Sequence, residues 1–281
     1  MADWLTTWLN VSVAEASVVR LRDCLIVRKG ESPRVALFAH IDTCGFTVGY
    51  GDPIQLISIG GPDFTSDTRI RILGSTDGNT GKLISVDERW TVKGLDCKPG
   101  DRLVYSAESV ITKTTVKAPY LDNRAGIWAA LYALQNCEQI CVCFTTGEET
   151  GGSGAMICAK YIYEKLGITK TLVCDITWDT EFVHCGDGVA ISRRDRWVPS
   201  QNYVNQLIGL ADGSGIKYQI EIESDGGSDG GGIERSGCPI DWAFIGAPEK
   251  NPHCDNEEID LSDLDAMGNM LVYLVDRITK A

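Results

Sequence analysis

The sequence predicts an α/β fold, a mixed central sheet flanked by helices, interrupted by a small inserted all-β, barrel-like unit. Two observations predict it. After Pro119, apolar strand-like runs alternate with helical repeats, the pattern of a mostly parallel or mixed sheet with helices on both sides. From about Thr47 to Val116 the texture differs: short β-rich runs recur every roughly 8–12 residues between GD, DG and PG turns, and no helical periodicity is visible.

In chain order, DWLTTWLN reads as a short helix, followed by the strands CLIVRK and RVALFAHI. The β-rich stretch supplies IQLISIG, RIRILGS, KLISV, WTVKG, RLVYSAE and ITKTTV. Asp122 or Asn123 then suits the cap of a helix that carries Ile127, Leu131 and Leu134 at helical spacing. QICVCF is a buried strand, a helix runs from about Gly152 to Leu166, and TLVCDI is the next strand. A helix from about Ser200 to Leu210 ends at Gly213 and Gly215, and the strands YQIEIE and IDWAFIG come after it. The last helix opens with Ser262 and Asp265 at capping-box-like spacing and aligns Leu264, Met267, Leu271, Leu274 and Ile278 on one face. The expected division is a discontinuous α/β domain, 1–45 and 118–281, around a β-rich domain, 46–117.

A chain of 281 residues with 43% hydrophobic and 23% charged residues has the composition of an ordinary globular protein with a substantial core. Its formal net charge of -13 argues against nucleic acid or an anionic membrane as partner, since both select for basic patches. No apolar run approaches the roughly 20 residues that cross a bilayer. The start, MADWLTTWLN, lacks a basic n-region, so a cytoplasmic location is expected. The eleven cysteines are odd in number and contain no CxxC pair, and Cys141, Cys143, Cys158 and Cys174 sit in apolar runs. They read as small buried hydrophobes kept reduced.

The chemistry gathers at strand ends. VALFAHID carries His40 and Asp42, CVCFTTGEE carries Glu148 and Glu149, and TLVCD carries Asp175; Asp122 and His253 complete the set. Two imidazoles and several carboxylates converging in this way suit a pair of divalent hydrolytic metals such as zinc, cobalt or manganese. Two of only three histidines fall in these motifs. The third, His184, reads as a hydrogen-bonded or surface residue, and Arg193, Arg194 and Arg196 read as a solvated loop. GGSGA has no histidine placed to make a serine nucleophile, and SDGGSDGGG lacks the lysine of a phosphate loop.

AHIDTCGF, LDNRAG, TTGEETGGSGA, CDITWD and PHCDNEEIDLSDL, in this order, resemble the motif series of the M42 metallo-aminopeptidases, dimetal exopeptidases related to the M28 and M20 peptidases. The resemblance implies a zinc-exopeptidase-like catalytic domain, two divalent ions per chain, and hydrolysis of N-terminal residues from short peptides by metal-activated water. It implies that His40 and Asp175 bind one metal, Glu149 and His253 the other, and that Asp122 bridges them. Glu148 is then the general base, and Asp42 the carboxylate that orients the His40 ring. Ser228 and Asp229 correspond to a Gly-Thr-Asp segment near the substrate, and the peptide between Asp122 and Asn123 is expected to be cis. The family's members assemble as homo-oligomers, which implies the same for this chain. Its departures are a trimmed insertion, NPHCD in place of a Tyr-preceded histidine followed by Ser-Pro, and GGSDG in place of GGTDA.

Overall fold

A computed structural model describes residues 1–13 and 15–280. The chain begins with α1 (Ala2–Ser12), the hairpin of β1 (Ser17–Leu21) and β2 (Cys24–Lys29), and β3 (Ala36–His40). Six short strands follow: β4 (Gly45–Gly51), β5 (Ile54–Ile59), β6 (Arg69–Ile72), β7 (Gly81–Val86), β8 (Arg89–Lys93) and β9 (Arg102–Tyr105). A hairpin of β10 (Val110–Ile111) and β11 (Thr115–Ala118) leads to α2 (Leu121–Asn136), β12 (Ile140–Thr145), α3 (Ser153–Leu166) and β13 (Lys170–Trp178). The remainder is β14 (Val189–Ser192), α4 (Gln201–Asp212), β15 (Tyr218–Glu221), α5 (Asp229–Arg235), β16 (Asp241–Lys250), β17 (Glu257–Asp260) and α6 (Leu261–Lys280).

A mixed eleven-stranded sheet runs β1-β2-β12-β3-β13-β16-β17-β11-β10, with β14 on β16 and β15 on β14. Its centre, β12, β3, β13 and β16, is parallel. Every residue of β3 and β12 is buried, as fits central parallel strands covered by helices on both faces. One layer of core joins Leu5, Leu9, Leu131, Leu134, Leu207, Met267, Leu271 and Leu274 to the sheet. The other packs Ala155, Cys158, Ile162 and Ile233, from α3 and α5, beneath Phe38 and Trp242. No helix among the described residues is long and apolar enough to cross a membrane.

The β-rich stretch forms a second, six-stranded sheet in the order β5-β4-β9-β6-β7-β8, antiparallel throughout. Phe46, Ile70, Leu83, Leu103 and Tyr105 are its core, and the Phe64 ring stands edge-on to Phe46 at 5.0 Å and to Trp90 at 4.8 Å.

Several local expectations change. The glycine-rich SDGGSDGGG, expected as a loop, opens α5 at Asp229, and VAIS, not read as a strand, is β14. Three further changes concern sheet edges and a helix cap. SVVRL, not read as a strand, is β1; it pairs at the sheet edge with β2, and its partly exposed, non-alternating pattern is a weak signal outside that pairing. ITKTTV, read with the β-rich unit, is instead a hairpin whose second strand joins the large sheet, Thr115 opposite Asp260. A β-branched run fits either sheet, and its partner lies far along the chain. Ser262 does not cap α6: Asp260 Oδ1 accepts its N–H at 2.8 Å and its hydroxyl at 2.6 Å.

Between the two candidate caps of α2 the structure selects Asn123, whose Oδ1 accepts the Gly126 N–H at 2.8 Å. Its Nδ2 donates to the Cys174 carbonyl at 2.9 Å, which ties the helix start to β13. Gly126 sits in this crossing, where a Cβ would strike both the Cys174 carbonyl and the Asn123 side chain. Gly126→Ala is therefore expected to destabilise the fold by about 1–3 kcal/mol, visible as a lowered Tm in a thermal scan. An unchanged Tm would mean that α2 can back away from β13 freely.

Candidate metal centre and active site

Parallel strands point their carboxyl ends to one edge of the sheet, and sites in such sheets collect outside that edge. His40 is the last residue of β3 and lies opposite Thr145, the last of β12. The Ile41 N–H donates to the Thr145 carbonyl at 2.8 Å, and beyond this bond the two chains part. One turns through Asp42, and the other forms the 146–152 loop with Glu148 and Glu149. Asp175 lies on β13, two residues past Val173, which pairs with Phe38. Asp122 enters from the start of α2, followed by a cis peptide to Asn123, and His253 enters from the loop after β16.

The two oxygens of Asp122 are divided between the two imidazoles. Oδ1 lies 2.9 Å from His40 Nε2, and Oδ2 lies 3.1 Å from His253 Nε2. Asp175 Oδ1 is 3.6 Å from the same His40 nitrogen. Ligand atoms of His40, Asp122 and Glu149 all fall within 4.8 Å of one another. Glu149 Oε1 is buried and has no hydrogen-bond partner among the described residues. The second sheet helps to hold this edge. His253 Nδ1 lies 2.9 Å from the Gly61 carbonyl, which leaves Nε2 to face Asp122. The Tyr105 hydroxyl donates to the His253 carbonyl at 2.8 Å. Gly60 has φ +67°, and a side chain there would strike the Glu149 carboxylate.

The remaining candidates are placed less simply. The nearest acceptor to His40 Nδ1 is the Asp42 backbone carbonyl, at 3.2 Å; the Asp42 carboxylate stands at 3.7 Å and accepts the Glu148 N–H at 3.3 Å. The turn after β3 thus brings backbone, rather than side chain, closest to the ring. Ser228 caps α5, accepts the Gly230 N–H at 3.1 Å and donates to Asp195 Oδ2 at 2.6 Å on the cleft wall. Asp229 is buried behind that wall, where it accepts the Thr145 hydroxyl; its Oδ1 has no partner among the described residues. His184 is half-exposed, 3.6 Å from Asp179 and outside the cleft lining. Arg193 donates to Asn205, Arg194 to backbone carbonyls, and only Arg196 of the three reaches the cleft.

Charge at this edge is lopsided. Burial pushes Glu148 well above the usual carboxylate range; His40 opposes this, while Asp175, Asp229 and Asp122 add to it. Burial and the Asp122 charge raise Glu149 to about 7, and burial raises Asp229 to about 7. Burial also acts to raise Asp122, but its contacts with His253 and His40 outweigh it and hold the group below the ordinary range. The Asp122 contact lifts His253 to about 9, and nearby carboxylates carry His40 well up against the opposing effect of burial. Sequence reading missed two further acids. Burial, followed by the charge of Asp122, pushes Glu257 to about 8, and its Oε2 accepts the Asp122 N–H at 3.1 Å. Glu249 is fully buried, with neither oxygen partnered among the described residues. Such a surplus of buried carboxylate, with two imidazole nitrogens and an orphaned Glu149 oxygen, fits a divalent cation.

Around these residues lies a cleft of about 310 Å³, walled also by Trp178, Asp195, Trp197, Glu221, Glu223 and Phe244. The acidic alternation of YQIEIE is a visible sequence signal; β15 ends at Glu221, and Glu223 follows just beyond it, so which cavity the two acids meet depends on how the chain packs after the strand.

A family profile described as M42 glutamyl aminopeptidase matches residues 83–270. A curated protein of Acetivibrio thermocellus with an aminopeptidase designation is 27% identical over 299 aligned positions, covering 94% of this chain and 88% of the relative. Among solved structures, a TET aminopeptidase from a marine sediment Thaumarchaeota archaeon superposes with a TM-score of 0.87 at 18% identity, covering 98% of this chain and 91% of the other. An aminopeptidase of Desulfurococcus kamchatkensis gives 0.86 at 19% identity, with 98% and 89% covered. The Pyrococcus horikoshii TET1 peptidase, described as assembling into a tetrahedron or an octahedral shell, gives 0.81 at 20% identity, with 98% and 94% covered. These structures share the fold.

Proposed function

Because this chain belongs to the M42 aminopeptidase family and is a metal-dependent aminopeptidase, we propose that the cleft beside β12, β3 and β13 removes N-terminal residues from short peptides. The observation that carries the site assignment is the divided Asp122 carboxylate, one oxygen toward each imidazole, beside the unpartnered Glu149 oxygen. His40 and Asp175 would hold one divalent ion, Glu149 and His253 a second, and Asp122 both. Zinc is the first choice, and cobalt or manganese suit the same donors. Bound there, the pair would polarise the scissile carbonyl and acidify water, leaving one net positive charge against the three ligating carboxylates.

Glu148 accepts the proton of the attacking water and delivers it to the leaving amine. Its neighbour Glu149 turns toward the imidazoles, so the pair divides proton transfer from ligation. The Gly61 carbonyl, at 2.9 Å, fixes the His253 ring, and the Asp42 carbonyl does the same for His40.

The second sheet supports the reading of an inserted, barrel-like domain over 46–117. Its end strands β5 and β8 pack against each other, and its last segment, β10–β11, returns to the large sheet. An oligomer is proposed by analogy with the TET1 assemblies, and a cytoplasmic location from the acidic, thiol-rich composition.

Elemental analysis of protein purified without chelator should find about two divalent ions per chain. Aminoacyl-anilide hydrolysis should vanish on chelation and return with zinc, cobalt or manganese. Cleavage of N-acyl amino acids alone would make the enzyme a deacylase instead. Metal-free, inactive protein after reconstitution would make it a binding relative.

A further inference from the structure

Glu221 is 6% exposed and lines the cleft, and its carboxylate accepts the Thr177 hydroxyl and lies beside Ser192. Thr177 and Asp175 lie two apart on β13, both at the cleft wall, so Glu221 stands about one same-face step, roughly 7 Å, further from the metal-ligand cluster. Asp195 and Glu223 share this end of the cleft. Two of the nearby cations, Arg194 and Arg235, are committed elsewhere. Arg194 Nε donates to the backbone carbonyls of Asp195 and Glu223, at 3.0 and 3.2 Å. Arg235 lies 5.0 Å over the Trp197 ring and donates to the Gly151 carbonyl at 2.6 Å. Arg196 is exposed at the rim. The same cleft also has aromatic walls, with Trp178, Trp197 and Phe244. A long alkyl stem with a cationic tip matches both parts.

We propose that Glu221, with Asp195 and Glu223 nearby, forms a subsite for the basic side chain of the substrate's N-terminal residue, so that the enzyme prefers Lys and Arg. The proposal rests on the aminopeptidase reading. An acidic N-terminal residue is disfavoured here, because its carboxylate would face Glu221, Asp195 and Glu223, while Arg196, the lining cation whose side chain makes no hydrogen bond among the described residues, stays exposed at the rim. Burial holds the Glu221 carboxyl above its ordinary range, an effect that Thr177 and Ser192 oppose and Glu223 and Asp195 reinforce; an arriving ammonium or guanidinium would relieve it.

The test pairs turnover with binding. Lys-, Arg-, Leu- and Glu-anilides are assayed on the metal-loaded protein, and lysinamide and norleucinamide are titrated calorimetrically into the same preparation. Lys and Arg substrates should exceed Leu in kcat/KM by about tenfold or more, Glu should be poorest, and lysinamide should bind tighter than norleucinamide. In Glu221→Gln the Lys/Leu ratio should fall by about tenfold. Should that variant misfold, Glu221→Asp, with a shorter reach, should shift the balance from Lys toward Arg. A wild-type preference for Leu or Glu would overturn the proposal, as would an unchanged ratio in both variants. Equal loss on Lys and Leu substrates would also overturn it, by placing Glu221 on the α-ammonium. If no anilide turns over, the aminopeptidase reading fails, and calorimetry still decides the subsite, because equal binding of the two amides would refute it.

Discussion

Glu148→Gln is expected to lower kcat by about a thousandfold or more while metal content and Tm stay near those of the parent. The substitution keeps the shape of a residue in the loop after β12 and removes its ability to accept a proton. Glu148 is suited to that task because burial and the charges of Asp175, Asp229 and Asp122 make its carboxylate unusually basic. None of the close contacts that join His40, Asp122 and His253 involves Glu148. KM should therefore move little, since the loss falls on proton transfer rather than on uniform binding. Anilide kinetics with elemental analysis on the same sample check this. If metal is lost in parallel with activity, Glu148 is a ligand and the roles of the two glutamates are exchanged.

Asp122→Ala should have the larger effect on metal. The side chain is 7% exposed and is the only described carboxylate within 4.0 Å of both imidazoles. Its removal takes an oxygen from each proposed ion and leaves His40, 2% exposed, with Asp175 at 3.6 Å and Asp42 at 3.7 Å as its nearest remaining carboxylates. Metal content should fall from about two per chain to below one, and turnover should become undetectable. Retention of both ions, by elemental analysis after gel filtration, would exclude a shared role. Asp122→Asn separates charge from shape: it should also lose metal, with a smaller fall in Tm than the alanine variant.

Much of the site was legible because its residues sit where local pattern is strongest. Apolar runs ending in His40, in the TGEE loop and near Asp175 identify strands by their own composition, and parallel strands bring such ends to one edge. Helices α3 and α4 appeared within a few residues of their final bounds, and α2 and α6 close to their starts, because helical spacing of apolar residues is set by near neighbours. The failures were of another kind. The strand pairing of Thr115–Ala118 depends on Glu257–Asp260, and the start of α6 on Asp260 accepting both the N–H and the hydroxyl of Ser262.

By itself, then, the sequence determined the α/β class, the order of most elements and the candidates for holding metal, because each follows from periodicity or side-chain chemistry within a short window. Tertiary structure alone decided which Asp122 oxygen meets which imidazole, that Tyr105 and Gly61 of the second sheet steady His253, and that Glu221 reaches the Thr177 hydroxyl. Those contacts join residues from 44 to 192 positions apart. No local preference encodes them, and they form only when closure of the whole chain leaves each side chain one well-packed place to lie.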